Sequence, residues 1–168
     1  MERTMAAPPE DTLALRSLVD LTREEHVVHS DEMPWIPYPG DEGVFVKPLR
    51  LNRRSGVWAN LTKVVNGGQV NRHYHVGPVT GFVLEGSWHY AERDWVARAG
   101  TIVREPPGDI HTLIAGDEGT VTLFILEGAL LYIDEHDNVV GHDDVLSHMR
   151  MYHDFCSAEG IEPLDLDF

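Results

Sequence analysis

Between residues 43 and 134 the chain alternates apolar and polar positions in short runs, with turn residues between one run and the next. The runs fall at 43–49, 57–65, 69–75, 81–86, 87–93, 100–105, 110–115, 119–127 and 129–134. Arg54-Ser55-Gly56, Gly67-Gly68, Gly77-Pro78, Pro106-Pro107-Gly108 and Ala115-Gly116-Asp117-Glu118 supply turns between them. A period of two over so few residues is the mark of strands with one face buried, so this region predicts a closed antiparallel barrel or jelly roll. Residues 31–42 hold three Pro and one Gly and predict an extended arm or loop. Upstream, Asp11 or Thr12 is placed to cap a short helix carrying Leu13, Leu15, Leu18 and Val19. Beyond Asn138 the period lengthens: Val145, Met149, Tyr152 and Phe155 fall near helical spacing and predict one amphipathic helix over 143–157. That helix either packs outside the barrel or serves as a lid over its mouth. The expected organisation is a single all-β domain, with an N-terminal arm and short helix (1–32), a β-barrel (33–141), and a C-terminal helix and tail (142–168).

Composition narrows the partners rather than the fold. The 168 residues are 42% hydrophobic and 24% charged, ordinary for a globular domain, and the 15 Gly and 10 Pro suit a turn-rich β protein. A formal charge of −15 argues against nucleic acid or an anionic membrane as partner, because phosphate attracts basic surfaces. No run approaches the ~18 apolar residues of a membrane span. The first twenty residues lack a basic segment followed by a continuous apolar one, so no signal peptide is expected. Cys156 is the single cysteine, which excludes an intrachain disulfide and fits a cytoplasmic location.

The candidate chemistry lies in two segments. In the first, Gly67 is followed after five residues by His73-Tyr-His75 and later by Gly86. Side chains two apart on a strand share a face, so His73 and His75 project into one space as half of a site for a first-row divalent metal. In the second, Gly100 is followed after five residues by Pro106-Pro-Gly108, and after two more by His111. The Pro-Pro-Gly turn is a natural device for bringing a third imidazole in from another strand.

Together these segments resemble the two signature motifs of the cupin superfamily. Gly67, His73, His75 and Gly86 match the first motif; Gly100, Pro106, Gly108 and His111 match the second. Two positions depart from the pattern. The motif's glutamate falls at Val79 or Thr80, and its terminal asparagine at Ala115. The usual three-His-one-Glu ligand set is thereby reduced to His73, His75 and His111. Three neutral imidazoles leave a bound cation its full double charge, which favours an anionic, chelating substrate.

Over residues 33–157 the chain is also similar to the family of 2,4′-dihydroxyacetophenone dioxygenases, through stretches such as MPWIPYPG, GVWANLTKV, GFVLEGSWHY and EPPGDIHTL. The resemblance implies a mononuclear Fe(II) held by three histidines. It also implies cleavage of an α-hydroxy aryl ketone by O₂ to an aromatic acid and formate. Imidazole ligands accept Zn, Ni or Cu as well, so the residues alone leave the metal open. Glu105 is the candidate base, or else the group that orients a ligand histidine, and Tyr90 a candidate hydrogen-bond donor to substrate; Arg104, adjacent to Glu105, is expected to point the other way. Trp88, on the face of Tyr90, and Val79 are candidates to line the substrate space. The remaining histidines (26, 29, 89, 136, 142, 148, 153) are expected at the surface, and Cys156 is expected as a buried small hydrophobe. Three alternatives stay open: a β-diketone (acetylacetone-type) dioxygenase, a Zn-dependent hydrolase or isomerase, and a non-catalytic metal-binding cupin like the cupin half of some anti-sigma factors. The helical zinc-binding region that accompanies the last is not apparent in the sequence. A single barrel with open sheet edges is expected to pair with a copy of itself, as a homo-oligomer.

Overall fold

The computed structural model describes residues 25–168, and the expected helix at 11–21 lies outside them. Ten strands and one helix follow in order: β1 (Ile36–Pro37), β2 (Val44–Asn52), β3 (Val57–Val64), β4 (Gln69–His75), β5 (Val79–Tyr90), β6 (Ala97–Arg98), β7 (Ile102–Glu105), β8 (Ile110–Glu127), β9 (Leu130–Ile133), β10 (Val139–Asp143) and α1 (Val145–Glu159). Every strand pair is antiparallel. The path β1-β2-β3-β8-β4-β9-β10 forms one sheet, and β5 joins it through β8 while carrying β6 and β7 on its other side. The sheet curls on itself, so the inward side chains of opposite walls meet.

Two long strands make the curl, and both were expected as pairs of shorter ones. The runs 81–86 and 87–93 are one strand, β5, and the runs 110–115 and 119–127 are one strand, β8. Along β5 the buried positions are Val79, Gly81 and Val83, then Trp88 and Tyr90; along β8 they are His111, Leu113 and Ala115, then Thr120, Thr122 and Leu126. Each strand changes parity once. The cause is two irregularities in the β5–β8 ladder: the register shifts between Val83 and Glu85, where β5 gains a residue, and between Gly86 and Trp88, where β8 does, with Gly86 and Gly119 both at positive φ. Bulges bend a strand without ending it, which is why turn residues here do not mark strand ends. The extra strand β10 and the two-residue β1 were also absent from the expected set, because Val139–Asp143 and Ile36–Pro37 show no alternation of their own.

The bend at Gly86 tolerates no side chain. At φ +66° an added Cβ would lie 2.0 Å from the carbonyl oxygen of Gly119. Gly86→Ala is therefore expected to destabilise the fold by at least about 1–3 kcal/mol, read as a lower urea midpoint with unchanged slope.

The helix α1 starts at a capping box, with Asp144 accepting from the amides of Leu146 and Ser147, and stops at Gly160 in the left-handed conformation. Its buried face is Val145, His148, Tyr152 and Cys156, with Met149 and Phe155 at the margins of the contact. The helix packs beside β2 and β10, and its apolar residues join Met33, Val46, Leu51, Trp58 and Leu126 in one core cluster. A second cluster around Trp88, Tyr90, Val83 and Leu113 fills the space beside it. The last residues return along β2, where the Leu51 amide donates to the Leu166 carbonyl at 2.7 Å. No helix among the described residues is long and apolar enough to cross a membrane.

Candidate metal centre

Antiparallel pairing, not proximity in sequence, assembles the three histidines. In the β4–β8 ladder His73 stands directly opposite His111, and His75 follows two residues along the same face. All three are buried, with ring centroids 4.7–4.9 Å apart and ligand nitrogens all within 4.8 Å of one another. The outer nitrogens are engaged. His73 Nδ1 lies 2.7 Å from the Asn71 carbonyl oxygen, and His111 Nδ1 lies 3.2 Å from Asp109 Oδ2. An acceptor at Nδ1 holds the proton there and leaves the Nε2 lone pair facing inward, the usual arrangement around a ligated imidazole. Asp109 is itself held by Arg93, at 2.8 Å, and by the Ile110 amide.

The fit to a cation shows most clearly between His75 and His111. Their Nε2 atoms are 3.0 Å apart, while His75 Nδ1 has no hydrogen-bond partner and Glu105 Oε2 stands 3.4 Å from it. With the proton of His75 turned toward that carboxylate, two lone pairs confront each other in a buried space. A shared cation resolves that confrontation, so the three residues fit a divalent metal bound through Nε2.

Glu105 and Tyr90 stand at the edge of this set. The β5–β7 ladder pairs Glu105 with Val79, so the carboxylate enters from the strand next to the position where the motif's glutamate would fall. Glu105 is buried and Arg104, its neighbour, is exposed. Glu105 Oε2 is 3.8 Å from His111 Nε2; its Oε1 accepts a hydrogen bond from the Tyr90 hydroxyl, whose ring stacks on His111 with centroids 3.5 Å apart. Val79 lines the cavity in front of the histidines. Trp88 does not. It lies fully buried in the second core cluster, against Tyr90 and Phe124, and its Nε1 donates to Thr122 Oγ1 at 3.0 Å. The tryptophan in the cavity wall is Trp58, on β3.

The cavity has a volume of about 550 Å³ including its opening. Its walls are largely apolar, with Val44, Val46, Leu113, Phe124, Leu126 and Leu130, and the three histidines and Glu105 on one side. Burial sets the protonation of that side. It pulls His73 down to about 4, with repulsion from His111 adding to it, and pulls His75 lower still; His111 also falls. Burial raises Glu105 to about 7 against the opposing hydrogen bond from Tyr90, and together with the charge of Glu105 it lifts Tyr90 well above its ordinary range.

These shifts predict how chelator-treated protein responds to acid. Below about pH 6.5 the unfolded chain takes up imidazole protons that the folded chain refuses until about pH 4, so folding stability is lost across that window. Glu105 acts in the opposite sense, binding its proton more readily when folded, but it is one group against three imidazoles. The urea midpoint of chelator-treated protein is expected to drop steadily from pH 6.5 to 4. The three alanine substitutions made together are expected to flatten that dependence.

One histidine expected at the surface is in the cavity. His148, on α1, is 2% exposed and lines the same space as the three histidines, with its ring 4.2 Å from that of Trp58. The periodic signal for it was present, since His148 stands three residues after Val145 and four before Tyr152, but its polarity concealed it.

Comparison with known proteins matches residues 23–131 to the family model of the ChrR cupin-like domain. The chain belongs to the cupins. Among solved structures, this cupin is similar to an RmlC-like cupin protein from Ralstonia eutropha JMP134 (31% identity, 93% of this chain and 99% of that one, TM-score 0.83). It shares its fold with an acetylacetone dioxygenase from Acinetobacter johnsonii (20% identity, 79% and 93% covered, TM-score 0.71). It also shares the fold of a putative acetylacetone dioxygenase from Methylibium petroleiphilum PM1 (18%, 83% and 97%, TM-score 0.68). Among curated protein sequences none matches this chain.

Proposed function

We propose that this cupin is a metal-dependent dioxygenase that cleaves the bond between two oxygenated carbons of a small chelating ketone. The first substrate class is an α-hydroxy aryl ketone such as 2,4′-dihydroxyacetophenone, which with one O₂ gives an aromatic acid and formate, both oxygen atoms being incorporated. The observation that carries this reading is the union of a three-imidazole set with a buried carboxylate 3.4 Å away, at one side of an apolar cavity. Fe(II) held by His73, His75 and His111 would supply Lewis acidity toward the vicinal oxygens and a means of activating O₂.

The chain's own residues do the rest. Glu105 takes the proton of the substrate hydroxyl at Oε2, and the hydrogen bond from Tyr90 to Oε1 holds the carboxylate in the orientation that reaches it. Asn71 and Asp109 keep the imidazoles in the tautomer that presents Nε2. Val79, Phe124, Leu126 and Leu130 receive the aryl ring and exclude water from the reacting atoms. A second reading, a β-diketone dioxygenase, is supported by the shared fold with acetylacetone dioxygenase and by the same need for two chelating oxygens.

The test is anaerobic reconstitution with Fe(II), followed by O₂ consumption and formate release on 2,4′-dihydroxyacetophenone and, in parallel, O₂ consumption on acetylacetone. Preference for the hydroxyketone with stoichiometric formate supports the first reading. Preference for acetylacetone supports the second. No oxygen uptake with any chelating ketone sinks both and leaves a metal-binding cupin without this activity.

A further inference from the structure

One and two strands along the sheet from β4, the cavity wall carries a second group of polar side chains that the reaction above does not use. Tyr38, just after β1, Tyr132 on β9 and Asp143 at the end of β10 meet there, with His148 beside them. Asp143 is engaged on both carboxylate oxygens. Its Oδ2 accepts from both Tyr38 and Tyr132, the latter at 3.1 Å, and its Oδ1 accepts from Ser147 Oγ at 3.1 Å. The two phenols are also 2.9 Å from each other. His148 Nε2 lies 3.7 Å from Asp143 Oδ2, beyond hydrogen-bond reach, and neither ring nitrogen of His148 has a partner.

A buried imidazole whose two nitrogens both lack a partner is costly unless something fills the space beside it, since each has given up water without a replacement. His148 is 2% exposed, and the space it borders is the ligand cavity. The group that satisfies it must suit its surroundings. With the Asp143 carboxylate 3.7 Å away, a carboxylate or phosphate would meet like charge, whereas a neutral hydroxyl both donates and accepts. Tyr132 stands opposite His73 in the β4–β9 ladder, with ring centroids 5.9 Å apart, so this group and the three histidines occupy different parts of one continuous space.

Resting on the ketone reading above, we propose that His148 is a specificity-determining residue that hydrogen-bonds a neutral hydroxyl at the end of the substrate remote from its chelating oxygens. The cavity then reads its ligand at both ends: two chelating oxygens at the three histidines, an apolar middle, and a hydroxyl at His148. Small aliphatic diketones satisfy the first end and leave the second open; a para-hydroxylated aryl ketone satisfies both.

The test compares 4-hydroxyacetophenone with acetophenone, which differ by that one hydroxyl, as ligands of the protein as purified, titrated by NMR. Wild-type protein is expected to bind the hydroxylated ketone about tenfold more tightly, the worth of one buried hydrogen bond. In His148→Phe that advantage, taken as the ratio of the two affinities in the same variant, is expected to fall to within about twofold. His148→Gln, which keeps a donor and an acceptor, should recover part of the preference, and it replaces the Phe variant should that one not fold. An equal preference in wild type and variants, or none in the wild type, overturns the assignment and leaves His148 a structural residue. The outcomes separate from those of the oxygen experiment. If the hydroxyl preference follows His148 while no ketone is oxidised, the dioxygenase reading falls and the subsite stands; if oxidation proceeds with a preference indifferent to His148, the reverse holds.

Discussion

His111→Ala protein, incubated with Fe(II) or Zn(II) and dialysed, is expected to retain less than about a tenth of the metal held by wild type. The reason is the economy of the site. With Val79 where the motif's glutamate would fall, no fourth side chain of the motif is available to compensate for a lost imidazole. Loss of an outer partner of a metal ligand already costs about 10–100-fold in affinity, so loss of a ligand costs more. His75→Ala should behave alike, and His89→Ala, outside the cluster, should not. The measurement is metal content by mass spectrometry on samples whose near-ultraviolet circular dichroism shows an intact fold. Full occupancy in His111→Ala would mean that the three buried imidazoles are not the ligand set.

Glu105→Gln is expected to lower the rate of oxygen consumption with 2,4′-dihydroxyacetophenone by about 10²–10⁴, the usual worth of a positioned base. The substitution keeps the shape and still accepts the hydrogen bond from Tyr90, so it removes the base without dismantling its support. Metal content should be unchanged, because the ligand nitrogens come from the histidines. Tyr90→Phe should cost less, since it loosens Glu105 without removing it, though the ring that stacks on His111 remains. A Glu105→Gln enzyme within about threefold of wild type would remove Glu105 from the proton step.

The legibility of the site in the sequence varied with the kind of structure that carries each residue. His73 and His75 could be read directly, because a strand places residues two apart on one face whatever it packs against. His111 could be read only through the resemblance of its segment to a motif, since nothing local says which strand β8 will pair with. Glu105 and Arg104 divided as strand alternation requires, one inward and one outward. Trp88 lies on the inward face of β5, as alternation predicts, but in the core and not at the cavity: inward means core as often as cavity, and the difference lies in what comes from the opposite wall. His148 is not legible from the apolar members of the helix face, because a buried histidine interrupts that stripe while occupying its centre.

The long strands show the same division. Glycines at 86 and 119 are turn signals in any local reading, yet Gly86 pairs with Thr120, next to Gly119, in the β5–β8 ladder, and both strands continue through the bend there. From the sequence alone came the all-β character, the C-terminal helix and a histidine pair at strand spacing, because periodicity is a property of the chain and survives any context. Only the tertiary structure decided that Val79 has a carboxylate beside it, that Asp143 accepts from two phenols, and that His148 faces the same cavity as the three histidines. Each of those depends on pairing between segments far apart in the chain, which is set by the packing of the whole sheet and not by any one segment.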